Sequence, residues 1–316
     1  MTLQVDNLTI EIAARGKVLR PVADVSFAIA PGEVLGLVGE SGAGKSMTGG
    51  ALVGLLEPPA AIVAGQIRLD GERIDVLEGE PLRRLRGGRI GSVFQDPQTS
   101  LHPQLAIGRQ IEDTIRAHLE VGRRAARSRA IDLMRRVGIA RPEARIDDYP
   151  HQFSGGMRQR IVIALALAAD PQFIVADEPT TALDMSVQAQ ILSLLQQLVA
   201  ERNMAMLLIS HDLAAIAQLA SRVAVMYAGR IVEYGPVMEV LRAPRHPYTA
   251  GLLRAAPRLV REKLVPIPGA VPSLAMLPPG CSFSPRCALH IPDCDTAMPQ
   301  LRAVNTNHDA RCILVP

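Results

Sequence analysis

The chain has no tryptophan, and aromatic residues occupy only 3% of its 316 positions. It therefore lacks the row of ring platforms on which single-stranded nucleic acid stacks. A formal net charge of +3 is too small to argue for a nucleic-acid partner either. Hydrophobic residues reach 48%, yet no run approaches the roughly 20 residues needed to cross a bilayer. The longest, 161–169, lies between Arg160 and Asp170 and predicts a buried helix. Met1 leads straight into an alternating strand pattern, so no signal peptide is expected. Cysteine is absent from the first 280 residues; all four, Cys281, Cys287, Cys294 and Cys312, sit in the tail. Such a composition suits a cytoplasmic enzyme with one large domain and an appendage.

Glycine, by contrast, is concentrated where chemistry needs it. Gly39, Glu40, Ser41, Gly42, Ala43, Gly44, Lys45 and Ser46 satisfy the phosphate-loop pattern. An apolar strand over Val34–Val38 precedes them and a helical pattern through 51–56 follows, which is the context such a loop requires. A glycine-rich backbone can turn its N–H groups toward phosphate oxygens, and a helix N-terminus adds a favourable dipole. Lys45 would reach the outer phosphates, and the Ser46 hydroxyl would ligate Mg2+. A loop closing an ordinary βα unit explains a few glycines but not the whole pattern in this setting.

Three polar positions at strand ends extend this chemistry. The buried strand 173–176 delivers Asp177 and Glu178 to its C-terminal end, where ligands of α/β folds bind. Asp177 would hold the Mg2+ shell, directly or through water, and Glu178 would polarise the water that attacks a γ-phosphate. The competing reading is a helix cap, which Pro179-Thr180 would suit. His211 follows the apolar stretch 206–210 and can hydrogen-bond a γ-phosphate; alone, such a histidine is more often a surface or capping residue. Gln95 ends the strand 90–94, where a neutral amide can ligate Mg2+ or simply form a turn.

The periodicity predicts an α/β fold. Leu3, Val5, Leu8, Ile10 and Ile12 suggest two paired N-terminal strands turning at Asp6-Asn7. Val25, Phe27 and Ile29 alternate likewise, and Pro31-Gly32 turns the chain into the phosphate-loop strand. Further strands are expected at 66–69, 90–94, 173–176 and 206–209, with a hairpin over 222–234 turning at Ala228-Gly229. Between about 97 and 169 the pattern is helical and arginine-rich. From Pro236 onward prolines become frequent and periodicity fades. The reading is a phosphate-loop core with a helical insert and an antiparallel β part, plus a small irregular C-terminal domain. There is no internal repeat.

In the order GESGAGKS, Gln95, FSGGM (153–157), ADEP (176–179), Ala182-Leu183-Asp184 and His211, the chain resembles the ATP-binding cassette of ABC transporters. The motifs cover roughly residues 1–240. The resemblance implies ATP as ligand, catalysis by Glu178, His211 and Gln95, and Mg2+ held by Ser46, Gln95 and Asp177. It also implies that Ser154, Gly155 and Gly156 grip the γ-phosphate of ATP bound to the opposite subunit, while Asp184 couples the two sites. Ser154-Gly155-Gly156 does precede a helical run and so offers a second anion-binding helix N-terminus. One cassette per chain makes hydrolysis depend on dimerisation. One departure stands out. Such cassettes stack adenine on an aromatic residue, whereas no aromatic occurs before Phe27; Ile12 or Leu19 would supply an aliphatic contact.

The tail narrows the resemblance. His246-Pro247-Tyr248-Thr249, Pro279-Gly280-Cys281 and Pro285-Arg286-Cys287 resemble the C-terminal extension of dipeptide and oligopeptide importer ATPases. So do Gln95-Asp96-Pro97 with Ser100-Leu101 and Pro103, Tyr149-Pro150-His151-Gln152, and Thr180-Thr181-Ala182-Leu183-Asp184. The dipeptide-type member is the nearest in pattern. This implies a nucleotide-binding domain over 1–242, with a helical subdomain at about 97–169, and an extension over 243–316. It implies a motor for di- or oligopeptide uptake, with nickel, glutathione or another small solute as the alternative cargo. The partners would be a second, non-identical ABC ATPase, two transmembrane permeases and an extracytoplasmic solute-binding protein. The location would be peripheral, on the cytoplasmic face of the bacterial inner membrane. A soluble cassette acting on DNA or ribosomes would call for coiled-coil insertions, tandem cassettes or strongly basic surfaces, and none is visible.

Clustered thiols in a cytoplasmic chain favour a metal site over disulfides. The spacing is not the C-x2-C of common zinc sites. It matches the pattern that, in the resembling importers, holds a four-iron, four-sulfur cluster; structural zinc and free thiols remain open at this point. His290 and His308 are expected on exposed loops.

Overall fold

Alternation along the N-terminal segment sends Leu3, Val5, Leu8 and Ile10 into the interior, each at most 1% exposed in a computed structural model of the chain. The structure describes residues 2–14, 16–181, 183–256 and 265–315; Met1 and Ala182, both used above, lie outside them. The chain divides into two units, one built mainly from 30–33 and 76–207, the other from 3–29, 34–75 and the chain from 208 onward.

In the second unit the expected turn at Asp6-Asn7 does not form. Leu3–Ala14 is one continuous strand, paired antiparallel with Lys17–Ile29 on one side and Ala60–Leu69 on the other. Asn7 takes φ 49° and the register shifts between Val5 and Leu8, so the two polar residues form a bulge within the strand. Asparagine tolerates this left-handed conformation, and its side-chain amide donates to Asp24 Oδ1 at 2.8 Å. Glu72–Arg73 completes this four-stranded sheet.

The phosphate-loop strand Val34–Val38 pairs parallel with Arg222–Tyr227, which forms the expected hairpin with Arg230–Pro236. That hairpin gains two more strands from the tail. His308–Ala310 pairs antiparallel with Arg230–Pro236, and Arg302–Asn305 pairs with His308–Ala310. The tail is therefore less irregular than its composition suggests. His308 is 1% exposed rather than on an exposed loop, with Nε2 2.7 Å from Glu233 Oε1. Glu233 is fully buried and also accepts the backbone N–H groups of Arg245 and His246 at 2.6 and 2.9 Å. A carboxylate removed from water needs such donors, and they draw His308 inward. His290 is exposed as expected, 2.8 Å from Asp295.

The first unit pairs Ile90–Val93 parallel with Phe173–Asp177. Between them lie the expected helices, among them Ile107–His118, Arg123–Arg136 and Gly155–Ala166. Ile107, Ile111 and Ile115 recur one turn apart and are fully buried, the stripe of an amphipathic helix. Arg127 and Arg135 point outward to Asp147 and Glu143. Helix Met185–Arg202 follows, and strand Ala205–Ser210 carries the chain into the second unit.

Candidate functional site

All five residues of Val34–Val38 are buried, which fixes the start of the loop 39–44. The helix Lys45–Leu52 begins there and ends earlier than the apolar pattern through 56 suggests, because Gly54 follows at φ 65°. Gly44 caps this helix at φ 102°, and a Cβ on it would stand 2.2 Å from the Pro21 carbonyl oxygen. A Cβ on Gly39 would lie equally close, 2.2 Å, to the Met226 carbonyl oxygen. Neither position admits a side chain without moving backbone. Lys45 is 6% exposed, and its Nζ donates to the carbonyls of Gly39 at 2.8 Å and Glu40 at 3.1 Å. The loop thereby holds the ammonium over its own mouth. Gly229 N–H donates to the Ala43 carbonyl at 3.0 Å, anchoring the far side of the loop on the hairpin turn. Ile12 and Leu19 face each other across the N-terminal strand pair, both half-buried.

The first unit brings together two residues that lie 83 positions apart. Gln95 Nε2 donates to Glu178 Oε2 at 2.9 Å, and Thr181 Oγ1 donates to the same oxygen at 2.8 Å. Glu178 has φ 47°, a left-handed conformation uncommon for a residue with a Cβ. Strain of this kind collects at functional positions. Asp177 is the last residue of its strand and half-buried. Sequence marks Thr181 only as part of a motif, and the fold reveals its contact with Glu178.

Ser154 caps helix Gly155–Ala166, its Oγ accepting from Met157 N–H at 3.4 Å. A Cβ on Gly156 would meet Val187 at 2.6 Å, so this helix start packs tightly on Met185–Arg202. Asp184 caps that second helix, accepting from Val187 N–H at 3.0 Å and from the Ser186 hydroxyl at 2.7 Å. Those bonds, the Ser186 hydroxyl first, hold its carboxyl below the ordinary range. His211 is exposed at the end of its strand, and Asp212 beside it caps the helix Leu213–Leu219.

The four cysteines are free thiols lining one small cavity with Phe283 and Pro299. Cys281 N–H donates to the Cys294 carbonyl at 2.7 Å, closing the loop between them. Burial pushes the Cys281 thiol up; an N–H from Phe283 opposes this, and the other three sulfurs reinforce it. Cys287 is raised by burial in the same way, with an N–H from Leu289 opposing. Among the described residues, no three His, Cys, Asp or Glu side chains converge as a ligand set for one metal ion.

Comparison with known proteins fits this arrangement. The family described as ABC transporter matches residues 22–181, and the one described as oligopeptide/dipeptide transporter, C-terminal region, matches 232–294. A putative peptide import ATP-binding protein of Brucella abortus is 48% identical over 325 residues, covering 98% of this chain and 96% of its own. The oligopeptide transport ATP-binding protein OppD of Mycobacterium tuberculosis is also 48% identical, over 98% of this chain but only 51% of its own length. Among solved structures, the dimeric post-hydrolysis state of the cassette MJ0796 with ADP and Pi matches with a TM-score of 0.67. The match has 26% identity and covers 74% of this chain and 98% of that one. The chain belongs to the ATP-binding subunits of ABC transporters, with the C-terminal region of the oligopeptide/dipeptide branch. It binds and hydrolyses ATP.

Proposed function

We propose that this ATPase powers the import of di- or oligopeptides through a membrane complex. The observation that carries the reading is the union, in one chain, of the full cassette motif set with the cysteine-bearing extension. Relatives 48% identical over 98% of the chain are named for peptide import. The division into a nucleotide-binding domain over 1–242 and an extension over 243–316 follows from the same pattern.

In this reading the loop 39–46 receives the phosphates, with Lys45 on the outer ones and Ser46 on Mg2+. Asp177 and Gln95 complete the metal shell. Glu178 polarises the attacking water, with Gln95 and Thr181 orienting its carboxylate. His211 contacts the γ-phosphate. Ser154, Gly155 and Gly156 serve the ATP of the opposite subunit, and Asp184, by setting the start of the neighbouring helix, links the two sites. No helix among the described residues is long and apolar enough to cross a membrane, and in this reading separate permeases supply the channel. Two such permeases, a second, non-identical ATPase and an extracytoplasmic binding protein complete the assembly at the cytoplasmic face of the inner membrane.

Four thiols on one cavity suit a 4Fe-4S cluster or structural zinc, and the spacing shared with the resembling importers supports the cluster. The four thiols line one small cavity, and backbone N–H groups of Phe283 and Leu289 address two of the sulfurs. When bound, the cluster would cross-link the loops of the extension. Anaerobic purification tests this: stoichiometric iron and sulfide support the cluster, and zinc alone counts against it.

Uptake of labelled dipeptides by cells lacking the chain tests the function itself. Loss on deletion, with rescue by wild type and not by Glu178→Gln, is the expected result. Unchanged peptide uptake alongside lost nickel or other solute uptake would move the cargo.

A further inference from the structure

Two side chains of the tail reach the phosphate loop, and the catalytic roles above use neither. Arg286 is 7% exposed. Its guanidinium grips the Glu40 carboxylate with both terminal nitrogens, at 2.7 Å to Oε2 and 3.1 Å to Oε1. Its Nε donates to the Pro268 carbonyl at 2.9 Å, and the planar group lies over the rings of Tyr227 and Phe283 at 5.8 and 5.9 Å. The fork therefore has one orientation. Tyr248, fully buried, accepts the Glu40 backbone N–H on its hydroxyl at 2.8 Å. Burial pushes its pKa well up, so the hydroxyl stays neutral.

Glu40 is thus fixed at its carboxylate by one tail residue and at its backbone by another. Its carbonyl in turn accepts from Lys45 Nζ at 3.1 Å. A short path of directional bonds runs from the tail to the ammonium that meets the phosphates. Bidentate arginine–carboxylate pairs add geometric definition as well as energy. The next two loop residues, Ser41 and Gly42, are exposed. The tail contacts therefore hold the loop just ahead of these exposed residues.

We propose that Arg286 and Tyr248 are positioning residues of the nucleotide site: through Glu40 they hold the phosphate loop and Lys45 in the geometry that receives phosphate. ATP affinity then depends on the extension, and the tail is part of the motor as well as an appendage to it. The inference rests on residues 39–46 being the ATP phosphate site. If the two contacts only dock the tail, their loss lowers stability and leaves affinity alone.

Calorimetric titration of the full-length folded chain with MgADP separates these cases, alongside melting curves and steady-state ATPase of the assembled complex. Arg286→Gln should raise Kd and KM about tenfold, comparable to losing one charge-assisted hydrogen bond, with much less change in kcat. Arg286→Lys should recover only part of the loss, because lysine cannot supply the fork. Glu40→Gln combined with Arg286→Gln should bind no worse than the weaker single variant, the non-additivity of a shared contact. Tyr248→Phe, which keeps the packing and removes only the acceptor, should raise Kd about threefold and is decisive if Arg286→Gln does not fold. Wild-type Kd in folded Arg286→Gln, or in Tyr248→Phe where Arg286→Gln does not fold, overturns the proposal. Lys45→Ala is the control for the underlying reading. If it retains wild-type affinity, the phosphate-loop assignment fails; if it loses binding while the tail variants do not, only the positioning role fails.

Discussion

Adding a methyl group to Gly44 should weaken nucleotide binding far more than adding one to Gly42, although the two glycines are neighbours in one loop. Both have positive φ, 102° and 80°. The difference lies in what the new Cβ meets. At Gly44 it would stand 2.2 Å from the Pro21 carbonyl oxygen, whereas at Gly42 nothing lies within 4 Å. Left-handed backbone costs a residue with a Cβ roughly 1–2 kcal/mol, and both variants incur it. The contact with Pro21 adds an overpacking cost of roughly 1–3 kcal/mol at Gly44 alone. Gly44→Ala should therefore carry about 3 kcal/mol of strain and Gly42→Ala about 1 kcal/mol. The loop releases that strain by moving away from Pro21, which turns its N–H groups from the phosphates. If all of it falls on binding, Kd for MgADP rises about a hundredfold in the first case and about fivefold in the second. Titration calorimetry on each folded variant reads the ratio directly. Equal losses, or a larger loss for Gly42→Ala, would refute the steric reasoning.

Glu178→Gln should bind MgATP normally while kcat falls at least about a hundredfold, the scale of a lost general base; single-turnover and binding assays separate the two effects. His308→Ala should lower stability by about 3 kcal/mol, since it removes a hydrogen bond to the buried Glu233 carboxylate and leaves an imidazole-sized gap; urea unfolding measures it. His246 provides a pH test. Burial, with Arg311 nearby, pushes its pKa down to about 3, so the folded chain keeps it neutral where the unfolded chain takes up a proton. Its contribution is complete above the unfolded value near 6.5 and is lost as pH falls toward 3, at about 1.4 kcal/mol per pH unit. His246→Asn can still cap helix Pro247–Ala255. It should therefore lose less stability than wild type between pH 7 and 5.5, by about 1.4 kcal/mol.

The candidate catalytic positions are legible because each is announced locally. The loop 39–46 and the acids 177–178 follow short apolar strands, and that context is written within a dozen residues. Gln95 and Glu178 each stand out alone in the sequence, but their hydrogen bond depends on the parallel pairing of Ile90–Val93 with Phe173–Asp177, which no local pattern encodes. Asp6-Asn7 misled because a residue suited to left-handed backbone serves a turn and a bulge equally well; only the continuous partner strands decide. His308 misled because its strand is three residues long, too short to show alternation, and because its buried partner Glu233 looks like a surface residue in a hairpin. Arg286 and Tyr248 appeared as tail motifs alone. Their contacts with Glu40 span 246 and 208 positions, and nothing in the tail points to the loop.

The central claim is that ATP hydrolysis by this chain drives peptide across a membrane. The most direct measurement copurifies the complex through this subunit, reconstitutes it in liposomes and follows labelled peptide with MgATP on the cassette side. Accumulation that needs ATP and disappears with Glu178→Gln is the predicted result. ATP hydrolysis without peptide movement, in vesicles that do move another solute, would contradict it.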